Sequence, residues 1–256
     1  MTKPNVTDTL SLVVITKNEE HNIGCCLKSW ENLGPIIVVD DYSSDKTIEI
    51  ARQYRAIVVQ RKFDNFSAQK QFAVSKAPTN WVLVIDADER ISPQLKASLL
   101  DVDFTNPTTA YTIRRENYFL GKRIRFSGWN PDLVTRLFNK NICQFNGDLV
   151  HESITGFETL SPIRGNLIHF SYIIPKDMEI KIEKYSNLGA ENLAKRNKIY
   201  PSNLRVFGSS LWAFLRTFLF RLGIFDGASG WQIALMNAKT TFRKYKKYQS
   251  RFPRDA

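Results

Sequence analysis

The feature that most constrains the fold of this chain is an unbroken apolar run that leads directly into a cluster of carboxylates. Residues 81–85 read Trp-Val-Leu-Val-Ile, and Asp86, Asp88 and Glu89 follow them. A buried strand of a parallel sheet reads as a continuous apolar run, and open α/β sheets bind ligands beyond the carboxyl ends of their strands. Carboxylates gathered there repel one another unless a cation lies among them, and oxygen ligands suit Mg²⁺ or Mn²⁺. The segment therefore predicts a site for a divalent metal ion and a phosphorylated ligand.

The first part of the chain alternates between strand and helix patterns. Apolar, β-branched runs predict strands at 10–16, 36–39, 56–59 and 81–85, with amphipathic helices between them. This order implies an α/β fold with a doubly wound, mostly parallel sheet and right-handed crossovers. Polar or acidic residues follow three of these strands, so we expect them at one sheet edge: Asn18 and Glu19 after the first, Asp40 and Asp41 after the second, Asp86 and Asp88 after the fourth.

Each acidic cluster also has a purely structural interpretation. Asp40 and Asp41 are typical of a solvated turn that caps a helix, and Asp86-Ala87-Asp88 is typical of another capping loop. Three such loops at one sheet edge, however, favour a shared ligand over three unrelated turns.

Charge and cysteine content narrow the class of protein. The 256 residues carry a net charge of +11, which favours an anionic partner such as nucleic acid, a phosphorylated substrate or an anionic membrane surface. The three cysteines, at 25, 26 and 143, fit neither a disulfide framework nor a metal-binding spacing, which indicates a reducing compartment. We find no apolar signal-peptide core and no membrane-spanning run, so we expect a cytoplasmic protein.

Three segments carry a resemblance to a known family. Residues 13–20, 38–47 and 86–88, in this order and spacing, resemble family 2 glycosyltransferases of the GT-A fold. The resemblance implies transfer of a sugar from a nucleoside diphosphate, whose departing diphosphate accumulates negative charge.

The same resemblance implies roles for individual residues. Asp40 would contact the base of the nucleotide, and Asp88 would bind Mg²⁺ or Mn²⁺ beside the diphosphate. Lys70 stands near the place where many family members carry an Arg-Asn pair, and it would contact phosphate. Arg136 would meet a phosphate or an acceptor carboxylate, although a surface salt bridge is an equally open interpretation. The implied nucleotide-sugar-binding set is Thr16, Asn18, Glu19, Asp40, Asp41, Lys70, Asp86, Ala87 and Arg136.

The second half of the chain resembles one branch of that family. Residues 150–152 (Val-His-Glu), together with 128–132, 136–138 and 168–172, are similar to the branch that includes lipopolysaccharide core β-1,4-glucosyltransferases. The resemblance implies that Glu152 is the base that deprotonates the acceptor hydroxyl, with Asp132 and Asp148 as competitors. His151 would be a weak second metal ligand. His169 is open to a metal-binding, a supporting or a purely structural interpretation.

We expect three parts in the chain. Residues 1–103 would form the nucleotide-sugar-binding half, 104–200 the acceptor-side half of the same catalytic domain, and 201–256 a C-terminal amphipathic and basic helical region. The last region has two interpretations. It forms either an interfacial helix with a basic patch for anionic inner-membrane lipids, or a helix packed on the catalytic domain with a solvated basic tail.

The resemblance implies an inverting, metal-dependent enzyme that moves a hexose, glucose in the first instance, from a UDP-sugar to a lipopolysaccharide-core-like or other glycan or lipid-linked acceptor. Its expected place is the cytoplasm, peripheral on the inner membrane. A haloacid-dehalogenase-like phosphatase that uses Asp86-Ala87-Asp88 is one alternative, but such enzymes place this strand first in the domain. A basic nucleic-acid-binding protein is another, but carboxylates at one sheet edge repel phosphate, so we expect no nucleic acid.

Overall fold

The computed structural model describes residues 6–147, 152–172, 175–195 and 200–252. The helices are α1 (Val6–Thr9), α2 (Ile23–Trp30), α3 (Thr47–Gln53), α4 (Phe66–Ser75), α5 (Pro93–Asp101), α6 (Pro175–Lys195), α7 (Asn203–Leu215) and α8 (Ala228–Arg251). A π-helical turn, Arg216–Phe220, and a 3-10 helix, Gly223–Asp226, lie between α7 and α8. The strands are β1 (Leu10–Thr16), β2 (Ile36–Asp40), β3 (Ile57–Gln60), β4 (Trp81–Asp86), β5 (Glu89–Ile91), β6 (Thr109–Phe119), β7 (Lys122–Arg123), β8 (Leu133–Asn139), β9 (Gln144–Phe145), β10 (Ile154–Thr155) and β11 (Thr159–Tyr172).

The main sheet has the order β3-β2-β1-β4-β8-β6-β11-β5, and β7 pairs with β6. The β3, β2, β1 and β4 strands are parallel, as the alternating sequence pattern predicts. The later strands join antiparallel, beginning with β8 beside β4 and β6 beside β8. The expected α/β class is therefore confirmed, and the predicted strands at 10–16, 36–39 and 81–85 are present with end differences of at most one residue.

Two buried clusters show why the strands are apolar on both faces. Alternate strand residues, such as Leu12 and Leu83, pack with Leu27 and the other buried residues of α2 on one face. The residues between them, such as Val13, pack with Val74 and its neighbours in α4 on the other face. Each fully buried side chain of this kind contributes about 1.5–3 kcal/mol. Helices on both faces make the sheet doubly wound, as expected.

The strands of the second half extend further than the sequence pattern predicts. The apolar residues at 167, 168 and 170 predict a strand over 166–170, whereas β11 spans Thr159–Tyr172. Most β11 side chains are exposed or half-buried, so the strand lacks the apolar alternation that marks a half-buried strand in a sequence.

The chain divides into two compact units, Met1–Glu116 with Asp132–His169, and Asn117–Pro131 with Phe170–Ala256. In the second unit α8 packs against both α6 and α7. Its core contains Phe119, Ile124, Tyr172, Ile182, Ile233 and Met236. The division into three parts that the sequence suggests stays a prediction.

The basic run of α8 consists of Arg243, Lys244, Lys246, Lys247 and Arg251, and two of these residues make ion pairs with acidic residues of α6. Arg243 pairs with Glu179, and Nζ of Lys247 lies 2.6 Å from Oε1 of Glu183. Among the described helices, none is long and apolar enough to cross a bilayer.

Candidate active site

The register of the parallel strands brings three loops to one sheet edge. Thr16 at the end of β1 lies opposite Asp40 of β2, and Ile15 lies opposite Asp86 of β4. Because neighbouring strands are about 4.8 Å apart, the backbones of Asp40 and Asp86 are separated by roughly 10 Å across β1. The prediction that these loops share an edge is confirmed.

The loops after β1 and β2 are hydrogen-bonded to each other. The backbone N–H of Asn18 donates to Oγ of Ser43 at 2.8 Å, and the N–H of Ser44 donates back to Oδ1 of Asn18 at 2.8 Å. The N–H of Glu19 donates to Oγ1 of Thr47 at 2.8 Å. Asn18 has a φ of +52°, a left-handed conformation that asparagine tolerates better than most residues. Asn18 and Glu19 thus hold the two loops together.

Asp40 is fully buried and accepts hydrogen bonds from its own loop and from β3. Its Oδ2 accepts hydrogen bonds from the N–H of Ser43 at 2.8 Å and from Nε2 of Gln60 at 3.4 Å, and its Oδ1 accepts one from the Ser43 hydroxyl. The carboxylate is therefore held rigidly at the end of β2. Its expected contact with a nucleotide base stays a prediction.

Asp41 is paired with a lysine of the neighbouring loop. Its Oδ2 lies 2.5 Å from Nζ of Lys17, and its Oδ1 accepts the N–H of Phe63 at 2.9 Å. The hydrogen bond from Lys17, followed by that from Phe63, lowers the pKa of Asp41. This acidic group is already neutralised by a side chain, without a metal ion.

Asp86 lies between two buried cations. Its Oδ1 is 3.0 Å from Nζ of Lys70, and its Oδ2 is 2.9 Å from Nη2 of Arg136. Burial acts to raise the pKa of Asp86, but Lys70 and then Arg136 outweigh it and hold the pKa well below its usual range. Lys70 precedes Ala73 and Val74 on the buried face of α4, so its aliphatic stem runs inside the core and its ammonium reaches the sheet edge.

Lys70 also contacts the expected base. Its Nζ, on a side chain only 1% exposed, lies 2.8 Å from Oε1 of Glu152. One buried ammonium therefore connects the end of β4 with a residue of the second half of the sequence. The structure brings together three of the predicted site residues, Lys70, Asp86 and Glu152.

A second set of ion-paired side chains lies beside Arg136, beginning with Glu89. Glu89 is fully buried; its Oε2 accepts the N–H of Asp86 at 2.9 Å, and its Oε1 lies 3.2 Å from Nη1 of Arg115. Nε of Arg115 lies 2.8 Å from Oδ2 of Asp132. Asp132, a competitor for the role of base, is thus bound in a separate ion pair with Arg115.

Asp88 is brought to a histidine by the pairing of β5 with β11. His169 lies opposite Glu89 in that pairing, so it is next to Asp88, and its Nε2 is 3.3 Å from Oδ2 of Asp88. Both side chains are partly exposed. His151 and Asp148, the other sequence candidates, lie outside the described residues. Sequence reasoning left the role of His169 open because its neighbour across the sheet is invisible in the sequence.

The described carboxylates of the three loops do not gather round one point, and the metal ion expected at this edge stays a prediction. Within the described ranges, no three His, Cys, Asp or Glu side chains are placed to bind the same ion. The carboxylates of the first two loops accept hydrogen bonds within those loops, and Asp86 pairs with Lys70 and Arg136. Asp88 and His169 are the two remaining metal-binding candidates, while Ala87 is buried in the core.

Two buried polar atoms near this edge have no hydrogen-bond partner among the described residues: Oγ1 of Thr16 and Nε of Arg136. Buried polar groups are normally satisfied, so unpaired ones often mark a place where water or a ligand binds. Both atoms belong to residues that the sequence predicts to contact the nucleotide-sugar.

Comparison with known proteins gives consistent matches. Residues 11–160, more than half of the chain, match the model of the family described as glycosyl transferase family 2. The uncharacterized glycosyltransferase RP128 of Rickettsia prowazekii is 30% identical over 93% of this chain and 86% of its own length. The lipopolysaccharide core biosynthesis glycosyltransferase LpsC of Rhizobium meliloti is 28% identical over 91% of this chain and 89% of its own length. The crystal structure of S. aureus TarS 1–349 superimposes with a TM-score of 0.48 and 17% identity over 94% of this chain and 91% of that chain.

Proposed function

Because this chain belongs to glycosyltransferase family 2, we propose that it moves a hexose from a UDP-sugar to a hydroxyl of a glycan or lipid-linked acceptor, with inversion at the anomeric carbon. The observation that carries this proposal is the buried ammonium of Lys70 between Asp86 and Glu152. Membership of the family removes the support for the two alternatives, a phosphatase and a nucleic-acid-binding protein.

The donor diphosphate would bind at the sheet edge beside the two buried cations. As the bond to the sugar breaks, negative charge accumulates on the diphosphate, and fixed cations in a poorly solvated site stabilise it most effectively. Lys70 and Arg136 supply such cations, and Nε of Arg136 has unused hydrogen-bonding capacity. Thr16, with its unpaired hydroxyl, would contact the nucleotide from the neighbouring strand. Asp40 and Asp41, with Asn18 and Glu19, would shape the base-binding side.

The donor set at Asp88 and His169 fits a divalent cation. A carboxylate oxygen and an imidazole nitrogen are both ligands that Mn²⁺ accepts, and the partial exposure of both side chains leaves room for water and phosphate oxygens. A bound Mg²⁺ or Mn²⁺ would supply Lewis-acid stabilisation of the departing diphosphate. Asp88 would be the principal ligand and His169 a second one, while the weaker role expected of His151 stays a prediction.

Glu152 would accept the proton of the acceptor hydroxyl as that hydroxyl attacks the anomeric carbon. A base must lie within hydrogen-bonding reach of the acceptor, on the side of the sugar opposite the leaving diphosphate. Lys70 orients Glu152 through a 2.8 Å contact and orients Asp86 through the same ammonium, so the two sides of the reaction are positioned by one residue.

The acceptor proposal rests on a relative. LpsC, aligned over nearly the whole chain, is a lipopolysaccharide core biosynthesis glycosyltransferase. We therefore infer an acceptor of that kind, a lipid-linked oligosaccharide core. Glucose as the transferred sugar is implied by the sequence resemblance alone. Such an acceptor would place the enzyme in the cytoplasm, peripheral on the inner membrane.

The test is a screen for UDP release. The protein is incubated with Mn²⁺ and UDP-glucose, UDP-galactose or UDP-N-acetylglucosamine, with and without a lipid-linked oligosaccharide acceptor. The proposal expects acceptor-dependent UDP release with one of these donors, UDP-glucose first. Absence of UDP release from every UDP-sugar, together with turnover of another nucleotide-sugar class, would contradict it.

A further inference from the structure

Helix α7 presents its apolar face to solvent. Leu204, Phe207 and Leu211 recur at the spacing of one helix face, and they are 84%, 60% and 60% exposed. The buried residue of the same helix is Val206. In a helix of a globular protein the apolar stripe normally faces the core, whereas α7 has apolar side chains both on its buried side, with Val206, and on its exposed side.

The exposed face continues through the turns that follow α7. Trp212 contacts Phe220 with ring centroids 5.3 Å apart, and Phe220 is 68% exposed. Phe225, in the 3-10 helix, is 70% exposed. We call this the apolar surface and define it by Phe207, Leu211, Trp212, Phe220, Phe225 and Trp231.

The turn that carries Phe220 and Phe225 is held in place by close packing. A Cβ at Gly230 of α8 would lie 1.8 Å from the carbonyl oxygen of Gly223, so only glycine permits this approach. The buried carboxylate of Asp226 accepts the N–H of Arg125 at 2.9 Å and the hydroxyl of Ser127 at 2.6 Å. These contacts keep the aromatic side chains on the outside.

The charges around the apolar surface are positive. Between residues 203 and 247, all of which the structure describes, Asp226 is the one acidic residue, and it is buried. Arg205, Arg216 and Arg221 are exposed in the same segment. The surface therefore combines exposed aromatic rings with arginines and presents no exposed carboxylate.

We propose that the apolar surface inserts into the interfacial region of a bilayer that contains anionic phospholipids. Aromatic and aliphatic side chains favour the boundary between headgroups and acyl chains, and arginines add attraction to anionic headgroups. The basic run of α8 is not this contact, since Arg243 and Lys247 are paired with Glu179 and Glu183 of α6.

A second copy of the chain is a poorer occupant of the same surface. A two-fold contact would place the arginines of one copy near those of the other, with no exposed carboxylate in the segment to pair with them. The inference concerns one unit of the chain and does not rest on the proposed reaction.

Vesicle flotation tests the apolar part. Vesicles of phosphatidylethanolamine and phosphatidylglycerol in equal parts are compared with vesicles of phosphatidylcholine. The double variant Trp212→Ser/Phe220→Ser should bind the anionic vesicles at least about tenfold more weakly than the unmodified protein. The control Leu100→Ser, an equally exposed residue of α5, should bind normally. Equal binding by the double variant and the control would overturn the proposal.

Charge reversal tests the electrostatic part. Arg205→Glu/Arg216→Glu should weaken binding to anionic vesicles, whereas Lys246→Glu, an exposed residue of the α8 basic run, should not. Loss of binding in Lys246→Glu alone would overturn the proposal in favour of the basic run. Self-association would replace the proposal if the unmodified protein did not bind vesicles but formed concentration-dependent dimers, and if the Trp212→Ser/Phe220→Ser variant did not form them. Unchanged circular dichroism and melting temperature establish that each variant is folded.

Discussion

Lys70 and Glu152 are 82 positions apart in the sequence, and an ion pair of 2.8 Å joins them. The same ammonium also contacts Asp86 at 3.0 Å. A buried charge is tolerated only when it is paired, and the two carboxylates around Lys70 are balanced only with Arg136, which also pairs with Asp86. This contact links the loop that is expected to bind the donor to the residue that is expected to activate the acceptor.

Replacing Lys70 by methionine should destabilise the protein and abolish transfer. The change leaves the shape of the side chain but removes the charge, so Asp86 and Glu152 lose a partner. We expect the free energy of unfolding to fall by about 3 kcal/mol, the lower end for a broken buried pair, because both carboxylates keep partial access to water. Urea denaturation measures this. Lys76→Met, at the exposed end of the same helix, is the control, and an equal effect in both variants would contradict the role of Lys70.

The stability that Asp86 contributes should depend on pH in the acid range. Because Lys70 and Arg136 lower its pKa in the folded protein, the unfolded chain binds the proton more readily. The contribution is therefore complete above the usual aspartate pKa of about 3.9 and is lost as the pH falls below it toward the lowered value. The difference in unfolding free energy between the unmodified protein and Asp86→Asn should narrow below about pH 4. A difference that stays constant from neutral to acid pH would refute this account.

Glu152→Gln should separate donor binding from transfer. The amide oxygen of glutamine still accepts a hydrogen bond from Lys70, but it does not accept the acceptor proton. Loss of a general base typically lowers the rate by about 10²- to 10⁴-fold, while the affinity for UDP should stay within about threefold. Initial rates and calorimetry measure the two effects. Glu158→Gln, at an exposed glutamate close to Glu152 in the sequence, is the control. A normal rate in Glu152→Gln would place the base elsewhere.

The adjacent cysteines should differ sharply in reactivity. Cys25 is exposed and Cys26 is buried, and burial, followed by the nearby Glu89, raises the pKa of the Cys26 thiol well above its usual value. Because the thiolate is the reactive form, an aromatic disulfide reagent should label Cys25 rapidly and Cys26 only after unfolding. Mass spectrometry of peptides resolves the two sites. Rapid labelling of Cys26 in the native protein would show that α2 is packed differently.

Much of the fold could be predicted from local sequence patterns. Three of the four parallel strands, β1, β2 and β4, are apolar runs because both faces are covered, and the loops that follow them necessarily share an edge. The extent of β11 could not be predicted in this way. Its side chains are mostly half-exposed, so its extent depends on pairing with strands that are distant in the sequence.

The sequence predicts which acidic residues lie at the site, but not which side chains neutralise their charge. The acidic clusters led us to expect a metal ion that neutralises them, whereas Lys70 and Arg136 form the ion pairs with Asp86 in the structure. One local sign was available: a lysine occupies a position on the buried face of α4, one turn before Ala73 and Val74. The pairing of Asp88 with His169 had no such sign, because it depends on the antiparallel register of β5 and β11.

The central claim is that UDP binds at this edge together with one divalent ion held by Asp88 and His169. Calorimetric titration of UDP in Mn²⁺ and in EDTA tests it most directly, with Asp88→Ala and His169→Ala as variants. The account predicts that Mn²⁺ tightens UDP binding to the unmodified protein by about tenfold or more, and that both variants lose this gain while keeping the affinity measured in EDTA. A UDP affinity that is the same with Mn²⁺ and EDTA, or a full Mn²⁺ effect in Asp88→Ala, would contradict it.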